Sequence, residues 1–271
     1  MTFGYRLYKG AWIYAGEPNE EQQLTREQMA ELLRQGGVMV RNCYDFGTPE
    51  VTSFWYVIKD SFGGMEELST NVRNQVRKSF KTMNVRPMTG QELQEEGYNV
   101  YVESAKDCKI ATDVPSRKEF QQRIEKASQD EYWGCYDRET ERLVAFSMNR
   151  VTEVSAEYKT MKALPEYRQK YAFYGLLYKM NEYYLTERGL RYVNDGSRSI
   201  TEHSNIKPFL MSKFCFRKAY CHMTLQYKWW LGAAVKALYP LHKPIEKVCA
   251  PILRKRVSML FSQEAMARNE I

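Results

Sequence analysis

Between Tyr132 and Tyr227 the apolar residues change period in a fixed order, and that order leaves few folds open. Tyr132 to Tyr136 and Leu143 to Val151 read as strands around the polar connector Asp137-Arg138-Glu139-Thr140-Glu141, which suits a hairpin. Ser155 to Leu164 is a further strand. Pro165 then falls in the first turn of a helix, where its missing N–H costs least. Phe173, Leu176, Leu177, Met180 and Tyr184 recur at three and four, and Gly189 closes the element. Leu190 to Val193 is the next strand and Asn205 to Lys213 the next helix. Finally Cys221, Met223, Leu225 and Tyr227 alternate with His222, Thr224 and Gln226, so the last strand buries one face. Hairpins give antiparallel pairs and a long helical crossover gives a parallel one, so the class is α/β (α+β) with a mixed sheet.

Upstream, residues 1–83 predict a small α/β unit. Thr25-x-x-Gln28 is a capping-box start, and Met29, Leu32 and Leu33 keep helical spacing to a stop at Gly36-Gly37. Val38 to Val40 and Ser53 to Ile58 are short strand candidates. Asn71 to Arg86 holds Arg73, Arg77, Lys78, Lys81 and Arg86 without one acid, which reads either as a solvated helix face or as a site for a phosphate-rich ligand. A second unit, residues 84–227, opens with the strand Val85-Arg86-Pro87-Met88. Thr89-x-x-Glu92 and Ser116-x-x-Glu119 then cap two helices with Leu93, Phe120 and Ile124 inward. Residues 228–271 form a basic extension starting on Trp229-Trp230, in which Pro240, Pro244 and Pro251 predict short helices.

The 271 residues are 44% apolar and 27% charged, which is ordinary globular composition, and 40 Lys and Arg against 33 Asp and Glu give +7. Six cysteines without Cys-x-x-Cys spacing point to a reducing compartment, with Cys135, Cys215 and Cys221 expected reduced and buried. The first residues lack a signal-peptide layout. The longest apolar run, Trp229 to Val235, is far short of the roughly 20 residues that cross a bilayer, so no transmembrane segment and a cytoplasmic location are expected. No metal-ligand cluster, Ser/His/Asp order or Walker-type loop is visible, and the zinc, hydrolase and nucleotide-hydrolase readings have no support. His222 and His242 read as a strand-surface and a loop residue.

The order from Asn84 to Tyr227, ending in Asn205 and Phe214-Cys215-Phe216, resembles the GNAT (N-acetyltransferase) superfamily. The resemblance implies an acetyl-CoA or other acyl-CoA co-substrate, no metal, and an amine acceptor. It also implies that the strands Ser155–Leu164 and Leu190–Val193 are parallel neighbours that splay at their carboxyl ends to form the donor slot. The loop after the first of them would take the pyrophosphate, since free N–H groups and a helix dipole favour an anion there. The best register of the family's Arg/Gln-x-x-Gly-x-Gly/Ala pattern uses Gln169, Ala172 and Tyr174, with Arg168, Lys170 and Tyr171 in the same loop. Asn205 matches an Asn near the thioester and Phe216 the Phe that closes the motif. Cys215 replaces the usual Gly, and Met211 the usual acidic Tyr. Asp195, Arg198 and His203 lie between the two elements, at the carboxyl end of a strand where α/β sheets place ligands. Their plain alternative is turn chemistry around Asn-Asp-Gly-Ser.

The whole chain also resembles the Fem-type aminoacyl transferases, in which a degenerate GNAT-like half precedes a second. Trp55-Tyr56 on a strand and the basic helix from Asn71 to Lys78 carry that likeness. Three functions follow. The first is acyl transfer from a thioester to an amine, with backbone N–H groups of Ser155–Leu164 on the carbonyl oxygen, Asn205 by the leaving group, and Glu153, Glu157 or His203 taking the proton. The second is a Fem-like aminoacyl or peptidoglycan-precursor transferase using Arg73 to Lys81 for a phosphate-rich substrate. The third is a binding protein with a retired active site.

Overall fold

The computed structural model describes residues 2–106, 114–127, 129–198, 206–242, 244–245 and 251–271. The chain forms two compact units, one drawn from 1–56, 197–202 and 218–271 and the other from 57–196 and 203–217.

In the first unit, β1 (Tyr5–Tyr8) and β2 (Ala11–Tyr14) form an antiparallel hairpin. Its two-residue turn, Lys9-Gly10, has positive φ at both positions (48° and 85°), the conformation a twisted hairpin requires. The sequence reading had not placed these strands. Helix α1 (Arg26–Arg34) has the expected capping box. The Thr25 N–H donates to Gln28 Oε1 at 2.8 Å, the Gln28 N–H donates to Thr25 Oγ1 at 3.3 Å, and Met29, Leu32 and Leu33 are buried. β3 (Met39–Tyr44) runs parallel to β2 and antiparallel to the last strand, β10 (Arg217–Tyr227). Helices α8 (Trp229–Leu238) and α9 (Pro251–Ala267) follow, with Val235, Tyr239, Phe261 and Ala265 in a shared core. Pro251 heads a helix of 17 residues instead of cutting the tail short, because a first-turn proline removes an N–H that has no helical acceptor. Among the described residues no helix is long and apolar enough to cross a membrane.

β4 (Phe54–Lys59) leads into the second unit. After α2 (Thr70–Thr82) come β5 (Met83–Met88), α3 (Gly90–Lys106), α4 (Arg117–Glu125), β6 (Asp130–Asp137), β7 (Leu143–Val151) and β8 (Ser155–Ala163). β5 to β8 are successive antiparallel neighbours. Helices α5 (Pro165–Gln169) and α6 (Ala172–Glu182) then cross to β9 (Tyr192–Ser197), which is parallel to β8, and α7 (Ile206–Phe214) follows. The sheet is therefore mixed, as the alternation of hairpins and crossover dictates. Leu93 and Val100 of α3 and Phe120 and Ile124 of α4 bury against Cys135, Leu143 and Phe146 of the sheet. The crossover helix is not continuous: Tyr171 takes a left-handed φ of 68° and separates α5 from α6.

Cys43, Cys135 and Cys221 are free and buried, but Cys215 is exposed, against expectation. It sits at φ 58° in the turn between α7 and β10, where the backbone reverses and points the thiol outward despite two flanking phenylalanines.

Candidate functional site

β8 and β9 pair over three positions only, Ser155 with Tyr192, Ala156 with Val193 and Glu157 with Asn194. Turn chemistry ends the pairing. Gly196 takes φ 75° and its N–H donates to Asn194 Oδ1 at 3.0 Å, which bends β9 while β8 continues to Ala163. Beyond Glu157 no described strand pairs with this edge of β8, so its N–H and C=O groups face an open slot. On the other edge the pairing with β7 slips at Met148/Asn149, so that Lys159 is an extra residue in β8.

The slot is a cavity of about 630 Å³. One wall is β8 from Tyr158 to Ala163. The others are Tyr101 and Ser104 of α3, Arg168 and Phe173 at the α5–α6 corner, Asp195 of β9, and Ile206 and Phe209 of α7. Under it lies a buried polar network. Tyr158 donates to Asn181 Oδ1 at 2.8 Å, while the Trp133 indole N–H (3.1 Å) and Asn149 Nδ2 (3.2 Å) both donate to the Tyr184 hydroxyl. Burial pushes the Tyr158 phenol well above its ordinary range, so it stays protonated.

At one end the α6 N-terminus presents the N–H groups of Ala172 and Phe173, which by helix geometry have no intrahelical acceptor, whereas the Tyr174 N–H donates to the Tyr171 carbonyl at 2.9 Å. Lys78 Nζ lies 5.9 Å from the ring centre of Tyr171, the residue that precedes α6, and Lys170 Nζ lies 4.4 Å from that of Tyr167 in α5. The basic α2 segment and the loop, two separate anion candidates in the sequence, thus meet at Tyr171. Arg77, Lys78 and Lys81 are exposed and Arg73 is half-buried, its Nη2 donating to Thr70 Oγ1 at 3.1 Å. Gln169 is exposed, Ala172 is buried, and Arg168 acts as a brace, donating to the carbonyls of Ala163 and Ser104 at 3.3 Å each. Tyr174 turns away into an aromatic cluster, 5.2 Å from Phe209 and 5.7 Å from Phe214 between ring centres.

Asp195 faces the slot with its side chain 10% exposed. Lys207 of α7 holds it, with Nζ 3.1 Å from the carboxylate and 2.5 Å from the Asp195 carbonyl. Burial raises the carboxyl above its usual value, and the Lys207 ammonium pulls it partly back. Nothing in the sequence pairs 195 with 207; only the bend of β9 brings them together. Glu157 lies at the fork of the two strands with its Oε2 3.6 Å from Arg150, and Glu153 is exposed in the β7–β8 turn. Arg198 belongs to the first unit, where it donates to the carbonyls of Ser53 (2.7 Å) and Ile271 (3.1 Å). His203 and Asn205 lie outside the described residues.

No protein-family model matches the sequence, and no curated protein does. Among solved structures the chain is similar to FemX, at 10% identity and TM-score 0.48, covering 65% of this chain and 62% of that one. It thus spans less than two thirds of FemX. It is also similar to the C-terminal DUF2156 domain of an Agrobacterium fabrum protein (10% identity, 80% of this chain and 78% of that, TM-score 0.46). A third is the PaiA N-acetyltransferase of Thermoplasma acidophilum in complex with coenzyme A (18% identity, 40% of this chain and 75% of that, TM-score 0.33).

Proposed function

We propose that the second unit transfers an acyl group from a thioester such as acetyl-CoA to an amine. The observation that carries this reading is the fork between β8 and β9, which leaves an unpaired strand edge lining the slot, the kind of edge with which an extended pantetheine arm pairs its amides. Free N–H groups on that edge suit a carbonyl oxygen on which negative charge develops as the amine attacks. Asp195 is assigned the general base, because burial moves its carboxyl toward the working pH and Lys207 fixes its orientation. The donor's phosphates would sit on the α6 N-terminus between Lys170 and Lys78. Asn205, by resemblance, is proposed beside the leaving thiolate and His203 as a second proton acceptor.

One observation favours a Fem-like aminoacyl donor as the second reading. Arg168 is engaged on two backbone carbonyls, and the left-handed position before α6 holds Tyr171 where a glycine would let the backbone approach a pyrophosphate. Calorimetric titration with acetyl-CoA and longer acyl-CoAs separates the two. Saturable binding that Asp195→Asn preserves, together with loss of turnover, supports the first reading. No heat with any acyl-CoA or free coenzyme A moves the assignment to the aminoacyl donor.

A further inference from the structure

Helix α8 has one side occupied and one side bare. Val235 packs with Tyr239 and with Phe261 and Ala265 of α9, so the inner side is seated in its own core. On the outer side Trp229, Ala233 and Ala237 recur at four-residue steps with Trp230 and Leu238 beside them, and all five are exposed. Trp229 is 84% exposed and Trp230 48%, with Leu238 at 46% and Leu241, just past the helix, at 57%. The other tryptophans of the chain, Trp12, Trp55 and Trp133, are buried or half-buried. Exposed apolar side chains scattered singly are ordinary, but a helix face built on two tryptophans marks a surface that something covers.

Charge decides what covers it. In α8 the one charged side chain is Lys236, exposed two helical turns from Trp229 on the same edge, and Lys228 stands just before the helix. Residues 228–271 hold eight Lys or Arg against three Glu, so this stretch carries +5 of the chain's formal +7 whichever of its charges pair. Two of the three acids are engaged locally: Glu264 accepts from Tyr227 and Arg268, and Glu270 from Tyr239. A second copy of the chain would bring the same positive surface against itself, which disfavours self-association through this face.

We propose that the bare face of α8 rests on an anionic lipid surface. Indole rings, apolar with one N–H donor, suit the headgroup boundary, where Leu238 and Leu241 enter beside them while Lys228 and Lys236 meet lipid phosphates. Ten residues rise about 15 Å, half of a bilayer's hydrocarbon thickness, so the helix lies along the surface and does not cross it. A small apolar patch partitions weakly and a few lysines are screened by salt, but the two signals together hold a protein reversibly. The contact needs nothing from the acyl-transfer slot, which belongs to the other unit.

The test uses the full chain and vesicles of phosphatidylcholine alone or with about one third phosphatidylglycerol, and co-sedimentation at low salt should be about tenfold or more stronger with the anionic vesicles. Trp229→Ala with Trp230→Ala should weaken that binding about tenfold or more, and Lys228→Glu with Lys236→Glu about tenfold, each with a melting temperature close to that of the native protein. Trp229→Ala alone, at a nearly fully exposed position, gives the same direction should the double variant fold poorly. Vesicles with brominated acyl chains should quench the native tryptophan fluorescence, and Trp229→Phe with Trp230→Phe should abolish the quenching, because the other three indoles lie inside the fold. Equal binding to neutral and anionic vesicles, no quenching by brominated lipid, or a native dimer that Trp229→Ala splits overturns the proposal. Capture by immobilised poly-glutamate as tight as by anionic vesicles would point to an acidic protein and overturn it as well.

Discussion

Cys215 and Tyr171 are side-chain-bearing residues in left-handed backbone, at φ 58° and 68°, each at a corner beside the slot's helices. The conformation costs a residue with a Cβ about 1 kcal/mol, and it is tolerated where the surrounding turn over-determines it. Cys215→Gly removes that cost at an exposed position, so urea unfolding should show a gain of about 0.5–1 kcal/mol. Labelling of the native protein should separate the cysteines. Cys135 and Cys221 are buried with their thiols pushed up to about 12, and burial raises the Cys43 thiol well above its ordinary range, so peptide mapping should find Cys215 modified well before these three. Fast labelling of Cys135 would contradict the packing described. The apolar neighbours of Cys215 misled the sequence reading because a positive φ, not hydrophobicity, decides where that side chain points.

At the scale of elements, α2 and α6 approach closely because Gly175 lies against Ser79. A Cβ on Gly175 would stand 2.3 Å from Ser79 Oγ and 3.2 Å from its Cβ. Gly175→Ala should therefore cost about 1–3 kcal/mol by forcing the helices apart. The Ser79 hydroxyl is buried without a hydrogen-bond partner, so Ser79→Ala should cost little by itself and should recover part of the Gly175→Ala loss. A double-mutant cycle that adds without coupling would place the strain elsewhere. In the first unit a different element is pinned by charge. Glu21 Oε1 accepts from the Tyr5 hydroxyl (2.6 Å), Asn42 Nδ2 (3.3 Å) and the Cys43 N–H (2.7 Å), and burial nonetheless raises its carboxyl above the ordinary value. The folded state then binds the proton more tightly than the unfolded chain. This group's stabilisation is greatest below its unfolded pKa of about 4.5 and falls as pH rises through the folded one. Glu21→Gln, which does not titrate, should be more destabilised relative to the native protein at pH 4 than at pH 8. Helix starts such as Thr25-x-x-Gln28 and Ser116-x-x-Glu119 were legible because a capping box is written within four residues. The Glu21 network was not, because its partners come from two other stretches of chain, Tyr5 and Asn42-Cys43.

Across the whole molecule, the sequence carried element order further than partnership. The alternation in β10 marks its buried face, yet nothing in it names β3 as the neighbour, and pairing His222 with Tyr44 joins opposite ends of the chain. The fork was foreseeable, since a parallel crossover followed by Asn-Asp-Gly-Ser both sets β9 beside β8 and bends it away. The site's charges were legible only as separate sets: Lys78 in a run that reads as solvated surface, and Lys170 in a degenerate loop. The approach of Lys78 to Tyr171, the residue that follows Lys170, gives the most discriminating test of the donor site. Two exposed lysines flanking a helix N-terminus should contribute about 1–2 kcal/mol together toward a pyrophosphate. Lys78→Ala with Lys170→Ala should thus weaken acetyl-CoA binding about five- to thirtyfold at low salt, and the difference from the native protein should shrink toward 0.5 M salt, where charges are screened within a few ångströms. Acetyl-pantetheine has the same thioester arm without phosphates, so it should bind the variant and the native protein alike. Equal losses for both ligands would mean that the lysines support the fold of the loop and not the anion.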